Sequence, residues 1–150
     1  MKKLLIVSAV VCVLIAGAPL AAPAAERRYV APRTAADTTN PPFSGGVFVG
    51  DTFYLSGQIG RDKDGKVPGE AGAEAKLVLD GIQATLKEAG LTMDDLVVVQ
   101  VFCSDVAHYA KFNEVYRGYF KKEFPARAFL GAGKLLFDAR FEVQGIAVKR

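Results

Sequence analysis

The stretch that decides the fold is FPARAFLGAGKLLFDARFEV, residues 124–143. It holds two apolar runs, and Phe137–Arg140 between them is short enough to be the loop of a β-hairpin. Arg127 starts the first run and Glu142 lies in the second. Arginine can hold a carboxylate through two parallel hydrogen bonds, and glutamate can position or activate a water. The stretch therefore predicts two strands whose Arg127 and Glu142 could bind a small organic acid. An exposed Arg–Glu pair on strands contributes little to stability by itself.

Working outward, the residues before this stretch alternate between strand and helix patterns. Gly50-Asp51 between two β-rich runs is typical of a two-residue hairpin turn. An apolar stripe predicts an amphipathic helix that ends at Gly90. The expected elements are strands at 47–49 and 52–56, a helix at 72–89, a strand at 96–102, a helix at 107–124 and the final hairpin.

This β-β-α-β-α-β-β order predicts one α+β domain in which two helices pack on one face of a mixed sheet. In the final strand, Phe141 and Val143 point to one face and Ile146 and Val148 to the other. Because two helices cover only one face, the apolar groups on the second face need another subunit. The pattern therefore also predicts an oligomer.

The N-terminal residues predict export. Lys2 and Lys3 precede an apolar run at 4–18, and Ala22-Pro23-Ala24 offers a cleavage site. We assign 1–24 to a signal peptide, 25–42 to a linker or N-terminal arm and 43–150 to the domain. The expected location is the periplasm or the outside of the cell, with no membrane attachment after cleavage. A retained anchor helix is the alternative, and it is disfavoured because a span needs about 20 apolar residues.

Charge and ligand-forming residues exclude several classes of function. Loss of Lys2 and Lys3 with the signal lowers the formal net charge from +3 to +1. The remaining basic residues are scattered, so no nucleic-acid footprint is expected. Cys103 would be the only cysteine left, and His108 is the only histidine, so neither an internal disulfide nor a metal site is expected.

Five motifs resemble those of the RidA (YjgF-like) reactive-intermediate imine deaminases. They are PFSGGV at 42–47, VGDT at 49–52, YLSGQIG at 54–60, FPAR at 124–127 and EVQGIAV at 142–148. The resemblance implies a chorismate-mutase-like fold and a homotrimer with sites in the clefts between subunits. It also implies hydrolysis of 2-imino or enamine acids to 2-oxo acids and ammonia, without a metal or organic cofactor.

The resemblance assigns roles to particular residues. Arg127 matches the arginine that clasps the substrate carboxylate, and Glu142 matches the glutamate that positions the attacking water. Ser56 and Gly57 match the loop that lines the pocket, and Phe43 falls where the family commonly has tyrosine. Each residue also has a purely structural interpretation, such as a satisfied turn for Ser56 or a core position for Phe43.

Other positions depart from the family pattern. Phe129 stands where many members carry cysteine, Gln144 replaces an acidic residue and Gly45 replaces a larger polar one. Backbone N–H groups near Ala128 and Phe129 could orient the substrate. These departures favour an altered substrate preference over a loss of activity.

Three other functions stay open at this point. The chain could be an exported trimer that binds small carboxylates through Arg127 without turnover, with the changes at Phe43 and Gln144 marking the loss of activity. An RNA-cleaving or translation-inhibiting role is disfavoured by charge and export, and chorismate mutase activity would rest on fold analogy alone. If the final hairpin turns near Asp138, Arg127 and Glu142 lie about 20 Å apart along it. We therefore expect each site to combine Arg127 of one subunit with Glu142 of its neighbour.

Overall fold

A computed structural model describes residues 24–31 and 41–150 of the chain. The predicted signal peptide at 1–24 lies outside the described residues except for its last position, and residues 32–40 of the predicted arm lie outside them as well. Within the described part of the chain, no helix combines the length and the apolar character that crossing a membrane requires.

Six strands and two α-helices follow one another along the described residues. They are β1 (Arg27–Val30), β2 (Gly46–Val49), β3 (Thr52–Ile59), α1 (Ala71–Glu88), β4 (Leu96–Cys103), α2 (Tyr109–Tyr116), β5 (Ala126–Gly131) and β6 (Phe141–Val148). The helix predicted at 72–89 is confirmed, and Gly90 closes it with φ of +79°. Leu91 N donates to Leu86 O at 2.8 Å beyond that glycine, which is the capping pattern expected there.

The second helix is shorter than predicted. It was expected at 107–124, but α2 covers only eight residues, with a 3₁₀ turn on either side. Asp105 caps the first of these turns by accepting from Ala107 N at 2.9 Å. The C-terminal turn, Arg117–Tyr119, contains Gly118, which weakens a helix by about 1 kcal/mol relative to alanine.

The strands form one mixed sheet in the order β1-β2-β3-β6-β4-β5. β4 and β5 are parallel, and every other neighbouring pair is antiparallel. The predicted α+β class with two helices on a mixed sheet is confirmed. β1 was not predicted, because Arg27–Val30 is too short to show a strand period, yet it pairs along the edge of β2.

The predicted final hairpin is wrong. β6 lies between β3 and β4, whereas β5 pairs with β4 at the sheet edge, so the two strands are not neighbours. β3, β4 and β6 each have eight residues, so β6 can pair along most of its length on both sides, and the six-residue β5 occupies the edge. The predicted loop is instead a 3₁₀ turn at Leu136–Asp138 within a longer connection.

The core lies between the helices and one face of this sheet. Its fully buried members come from α1, from α2 and from alternate positions of the central strands: Val78, Leu79, Ile82, Leu86, Phe112, Phe53, Val99, Val101, Phe141 and Val143. Because side chains alternate along a strand, the neighbours of these residues point to the face that no helix covers. Tyr54 and Val148 on that face are exposed. The trimer stays a prediction.

Candidate functional site

An open cleft of about 1010 Å³ lies where β3 and β6 meet on the helix-free face, and we call it the Glu142 cleft. Four predicted site residues line it: Phe43, Ser56, Gly57 and Glu142. Glu142 points into it because Phe141 and Val143 on either side are buried against the helices. The cleft therefore gathers on one surface residues that the sequence separates by about a hundred positions.

A β-bulge shapes the floor of the Glu142 cleft. Leu55 pairs with Gly145 and Gln58 with Val143, so β3 has one more residue than β6 between these two pairs. The extra residue turns Ser56-Gly57 toward the open face, and bulges often aim side chains in this way. A Cβ on Gly57 would lie well under 3.0 Å from Glu142 Oε1. Glycine at this position therefore leaves room for the carboxylate.

Ser56 holds the segment that carries Phe43. The Ser56 hydroxyl donates to Ser44 O at 2.7 Å, and Ser56 N donates to Gly45 O at 3.1 Å. These bonds fasten residues 44–45 to β3 and leave Phe43 at the rim of the cleft, where it is 55% exposed. Ser56 thus has a structural role here, and its oxygen still has lone pairs that can accept.

The start of β6 is anchored by Glu74, a residue that the sequence interpretation missed. Glu74 is fully buried in α1, and its Oε1 accepts from Arg140 N at 2.6 Å and Phe141 N at 3.0 Å. Its Oε2 accepts from Arg140 Nη1 at 2.8 Å. Three charge-assisted hydrogen bonds satisfy the buried carboxylate and fix the backbone just before Glu142. The available signal was the position of Glu74 directly beside the apolar stripe that begins at Ala75.

Arg127 occupies a separate site, the Arg127 pocket, of about 200 Å³ between β5 and α2. Its Nη2 donates to Asn113 Oδ1 at 2.6 Å, and its Cζ lies 4.5 Å from the centre of the Tyr116 ring. Within the described residues, the buried Arg127 Nη1 and Tyr116 hydroxyl have no hydrogen-bond partner. A buried donor without a partner raises the free energy of the folded protein. Arg127 Nη1 is therefore available to bond to an acceptor such as a carboxylate.

The electrostatics of the Arg127 pocket follow from burial and from the guanidinium. Burial raises the pKa of Tyr116 to about 12, and the nearby Arg127 charge offsets part of that rise. The Asn113 side chain and the Arg127 charge lower the pKa of the exposed Tyr109. Tyr116 therefore keeps its proton near pH 7, and Arg127 and Arg117, which both line the pocket, supply its positive charge.

Phe129 and Ala128 do not line the Glu142 cleft. Phe129 points to the same face as Arg127 and packs edge-on against Tyr109 and Phe112, with ring centres 5.0 and 5.7 Å apart. Ala128 points to the opposite face and is exposed. Phe129 thus forms part of the aromatic wall beside Arg127, at the position where the family often has cysteine.

Arg127 and Glu142 do not meet within one chain, but not for the predicted reason. The prediction placed both residues on one hairpin, about 20 Å apart along it, and that hairpin does not form. Glu142 instead pairs with Ile59 and Phe102, and β4 separates its strand from that of Arg127. The two side chains also point to opposite faces of the sheet, so no small molecule can touch both within one chain.

Neither site offers a ready set of metal ligands. Among residues 24–31 and 41–150, no three His, Cys, Asp or Glu side chains come together in a way that could hold an ion. Cys103 is free and buried, and burial raises the pKa of its thiol. The described residues of the two sites offer carboxylate, guanidinium, hydroxyl and backbone groups.

Comparison with known proteins agrees with this geometry. The sequence model of the family described as Endoribonuclease L-PSP matches residues 33–149. The 2-iminobutanoate/2-iminopropanoate deaminase of Bos taurus is 39% identical over 110 residues, which are 72% of this chain and 80% of that protein. The enzyme of the same name from Escherichia coli K12 is 35% identical over 113 residues, covering 73% of this chain and 88% of the relative.

Solved structures give the same result. The YjgF gene product of E. coli superimposes with a TM-score of 0.69 at 35% identity, over 73% of this chain and 89% of that one. E. coli TdcF with bound serine has a TM-score of 0.71 at 30% identity, over 75% of this chain and 91% of that one. These neighbours confirm the chorismate-mutase-like fold. With the motifs, the fold and the family match in agreement, the chain belongs to the RidA (YjgF-like) family.

Proposed function

We propose that this protein is an exported hydrolase that deaminates reactive 2-imino and enamine acids to 2-oxo acids and ammonia. The observation that carries the proposal is the Glu142 carboxylate, which lies over Gly57 in an open cleft. The names of the curated relatives support this activity. Serine bound to TdcF supports a ligand of amino-acid size.

The chemistry needs few groups. The carbon of a protonated imine is electrophilic, so a placed water can attack it without a strong nucleophile. Glu142 takes one proton from that water as the C–O bond forms and returns it to the nitrogen of the resulting carbinolamine. The C–N bond then breaks, ammonia leaves with the bonding pair, and the hydroxyl passes its proton to the Glu142 carboxylate, which releases it to solvent, to become the 2-oxo group. No metal or organic cofactor takes part.

Arg127 is proposed to bind the substrate carboxylate from a neighbouring subunit. Its unpaired Nη1 supports the binding role, because a carboxylate would satisfy a donor that the described residues leave without an acceptor. The opposite orientation of Arg127 and Glu142 supports a contribution from two chains. Exposed Tyr54 and Val148 on the helix-free face support a homotrimer whose sites lie between subunits.

Export is proposed from the sequence of residues 1–24. The mature protein is expected to be soluble in the periplasm or outside the cell, and to act on small molecules without binding nucleic acid. N-terminal sequencing of material from the periplasm or the medium, followed by light scattering, tests both export and assembly. An intact Met1 in the membrane fraction would contradict export, and a monomer would contradict the trimer.

A coupled assay tests the activity itself. An amino-acid oxidase generates the imino acid in place, and the release of 2-oxo acid and ammonia is followed with and without the protein. Glu142→Gln keeps the shape of the side chain but removes the base, so the rate should fall about 100-fold or more. Glu88→Gln, an exposed substitution on α1, is the matched control and should act like the wild type. Equal rates for Glu142→Gln and the wild type would exclude Glu142 as the base.

A trimer that binds small carboxylates without turnover is the second candidate. Two residues of the Glu142 cleft favour it: Phe43 lacks the hydroxyl of the usual tyrosine, and Gln144 is neutral and donates to Gln100 Oε1 at 2.6 Å. The same assay separates the two candidates. Tight binding of 2-oxo acids without acceleration of imine hydrolysis would favour the binding protein.

A further inference from the structure

The Glu142 cleft has an arginine on the same chain as Glu142, in addition to the Arg127 of the separate pocket. Arg61 lines that cleft and follows the end of β3 by two residues. Ile59, the last residue of β3, pairs directly with Glu142. If the chain kept strand geometry for two residues beyond Ile59, with about 3.3 Å per residue and about 4.8 Å between strands, the Cα atoms of Arg61 and Glu142 would be about 8 Å apart. A small acid between them is within reach of both side chains.

The backbone that carries Arg61 is held in place by α1. A Cβ on Gly60 would lie well under 3.0 Å from Glu74 O, so the chain passes directly against the first turn of the helix at this point. Glu74 also anchors the start of β6 through Arg140 N and Phe141 N. One helical residue therefore fixes both the backbone before Arg61 and the backbone before Glu142.

The Arg61 side chain is oriented by an aromatic ring. Its Cζ lies 4.6 Å from the centre of the Phe137 ring, which also lines the cleft. Phe137 has φ of 58° and ψ of 24°, a left-handed conformation that is unfavourable for a bulky residue. A guanidinium stacked on a ring keeps its N–H groups in the plane free for hydrogen bonds.

No described carboxylate uses those N–H groups. In the described part of the chain, ion pairs are formed by Lys63, Lys76, Lys111, Lys134, Arg140 and Arg150. Arg61 is not among them, and within residues 24–31 and 41–150 no acceptor takes a hydrogen bond from it. The N–H groups of the Arg61 guanidinium therefore lie beside Glu142 in the same cleft, whereas Arg127 of the same chain points to the other face of the sheet.

We propose that Arg61 is a carboxylate-binding residue of the Glu142 cleft, with small 2-imino and 2-oxo acids as its ligands. The inference rests on the proposed function in one respect, that the Glu142 cleft is the substrate site. A carboxylate has about four lone-pair positions, so Arg61 can share it with Arg127 of a partner subunit. Arg61 then holds the acid group at the end of β3 and leaves carbon 2 facing Glu142.

Binding of 2-oxo acids, the products of the proposed reaction, tests this without turnover. Titration calorimetry with pyruvate and with 2-oxobutanoate is carried out on the wild type, Arg61→Ala, Arg61→Lys and Arg28→Ala. Arg28 is the matched control, because its guanidinium also stacks on a ring, 4.0 Å from the centre of Phe48, outside the cleft. Circular dichroism checks that each variant is folded, which is expected since Arg61 is exposed.

Arg61→Ala should weaken binding at least about tenfold, because a hydrogen bond to a charged group is lost. Arg61→Lys should fall between Arg61→Ala and the wild type, since it keeps the charge but not the planar fork. Arg28→Ala should bind as the wild type does. Unchanged binding by Arg61→Ala, or no binding of either acid by the wild type, would overturn the proposal.

The imine assay distinguishes a failure of the Arg61 inference from a failure of the deaminase proposal. If the wild type binds 2-oxo acids through Arg61 but does not accelerate imine hydrolysis, the Arg61 inference stands and the deaminase proposal fails. If the wild type hydrolyses imines and Arg61→Ala has the same KM and the same 2-oxo acid affinity, the deaminase proposal stands and the Arg61 inference fails.

Discussion

The Glu142 cleft and the Arg127 pocket are built in different ways. In the cleft, backbone features make the room: a bulge, a glycine under the carboxylate and a strand start held by Glu74. In the pocket, side chains position the Arg127 guanidinium, which bonds to Asn113 and lies against the ring of Tyr116. Backbone changes should therefore disturb the glutamate, and side-chain changes should disturb the arginine.

The largest expected effect concerns whether the two regions combine across subunits. Arg127→Ala and Glu142→Ala should each be inactive alone, because each removes one half of the site. In trimers reassembled from an equal mixture, about a quarter of the clefts would contain both wild-type residues, so activity should return in part. Imine hydrolysis by mixed trimers, verified by mass, is the measurement. Mixed trimers that stay inactive would mean that one site does not use both residues from neighbouring chains.

A smaller effect is expected from a change confined to the Glu142 cleft. In Gly57→Ala the new methyl group would displace the end of the Glu142 side chain, which is flexible, rather than the backbone. Misplacing a catalytic group by about 1 Å can cost about 100-fold, so kcat should fall by about tenfold or more. Gly69→Ala is the control, since its Cβ would meet nothing within 4 Å. A Gly57→Ala enzyme with full kcat would show that the carboxylate does not need this position.

The smallest effect is expected in the Arg127 pocket. Tyr116→Phe removes a buried hydroxyl that has no partner among the described residues, so the free energy of unfolding should rise by about 1 kcal/mol near pH 7. Denaturant unfolding measures it. A less stable Tyr116→Phe protein would mean that the hydroxyl has a favourable partner.

The same variant has a pH signature. The pKa of Tyr116 rises from 10.0 to about 12 on folding, so the folded state keeps a proton that the unfolded state loses. Titration of Tyr116 therefore does not change the free energy of unfolding below pH 10, and it lowers that free energy as the pH rises from 10 toward 12. Tyr116→Phe has no proton to lose at this position, so its stability should fall less over that range than that of the wild type. Parallel curves for the two proteins would contradict the raised pKa.

Much of the fold was predictable from local patterns. The stripe beginning at Ala75 and the glycine at 90 define α1, and the β-branched run from Leu96 defines β4. Seven site residues were predicted, and the structure brings four of them, Phe43, Ser56, Gly57 and Glu142, together in one cleft. Local spacing carries this information because helix and strand periods are properties of a few consecutive residues.

Other features could not be predicted because they depend on distant partners. Glu74 can be buried because Arg140 and Phe141, 66 and 67 residues away, each bring a backbone donor to it, and Arg140 adds its guanidinium. The role of Arg61 is another example, since nothing near it in the sequence indicates the Phe137 ring on which it stacks. These contacts join segments that only the folded sheet places side by side.

The sequence by itself determined the helices and most strands of the described domain, its family and the residue types available for chemistry. Tertiary structure alone decided that β6 inserts between β3 and β4, and it placed Arg127 and Glu142 on opposite faces. The physical reason is that strand pairing is a competition among all strands for buried hydrogen-bonded neighbours. A strand with apolar residues on its core face lies at the centre of the sheet when strands of matching length can pair with both of its edges. Its position in the sheet does not depend on which strand is next to it in the sequence.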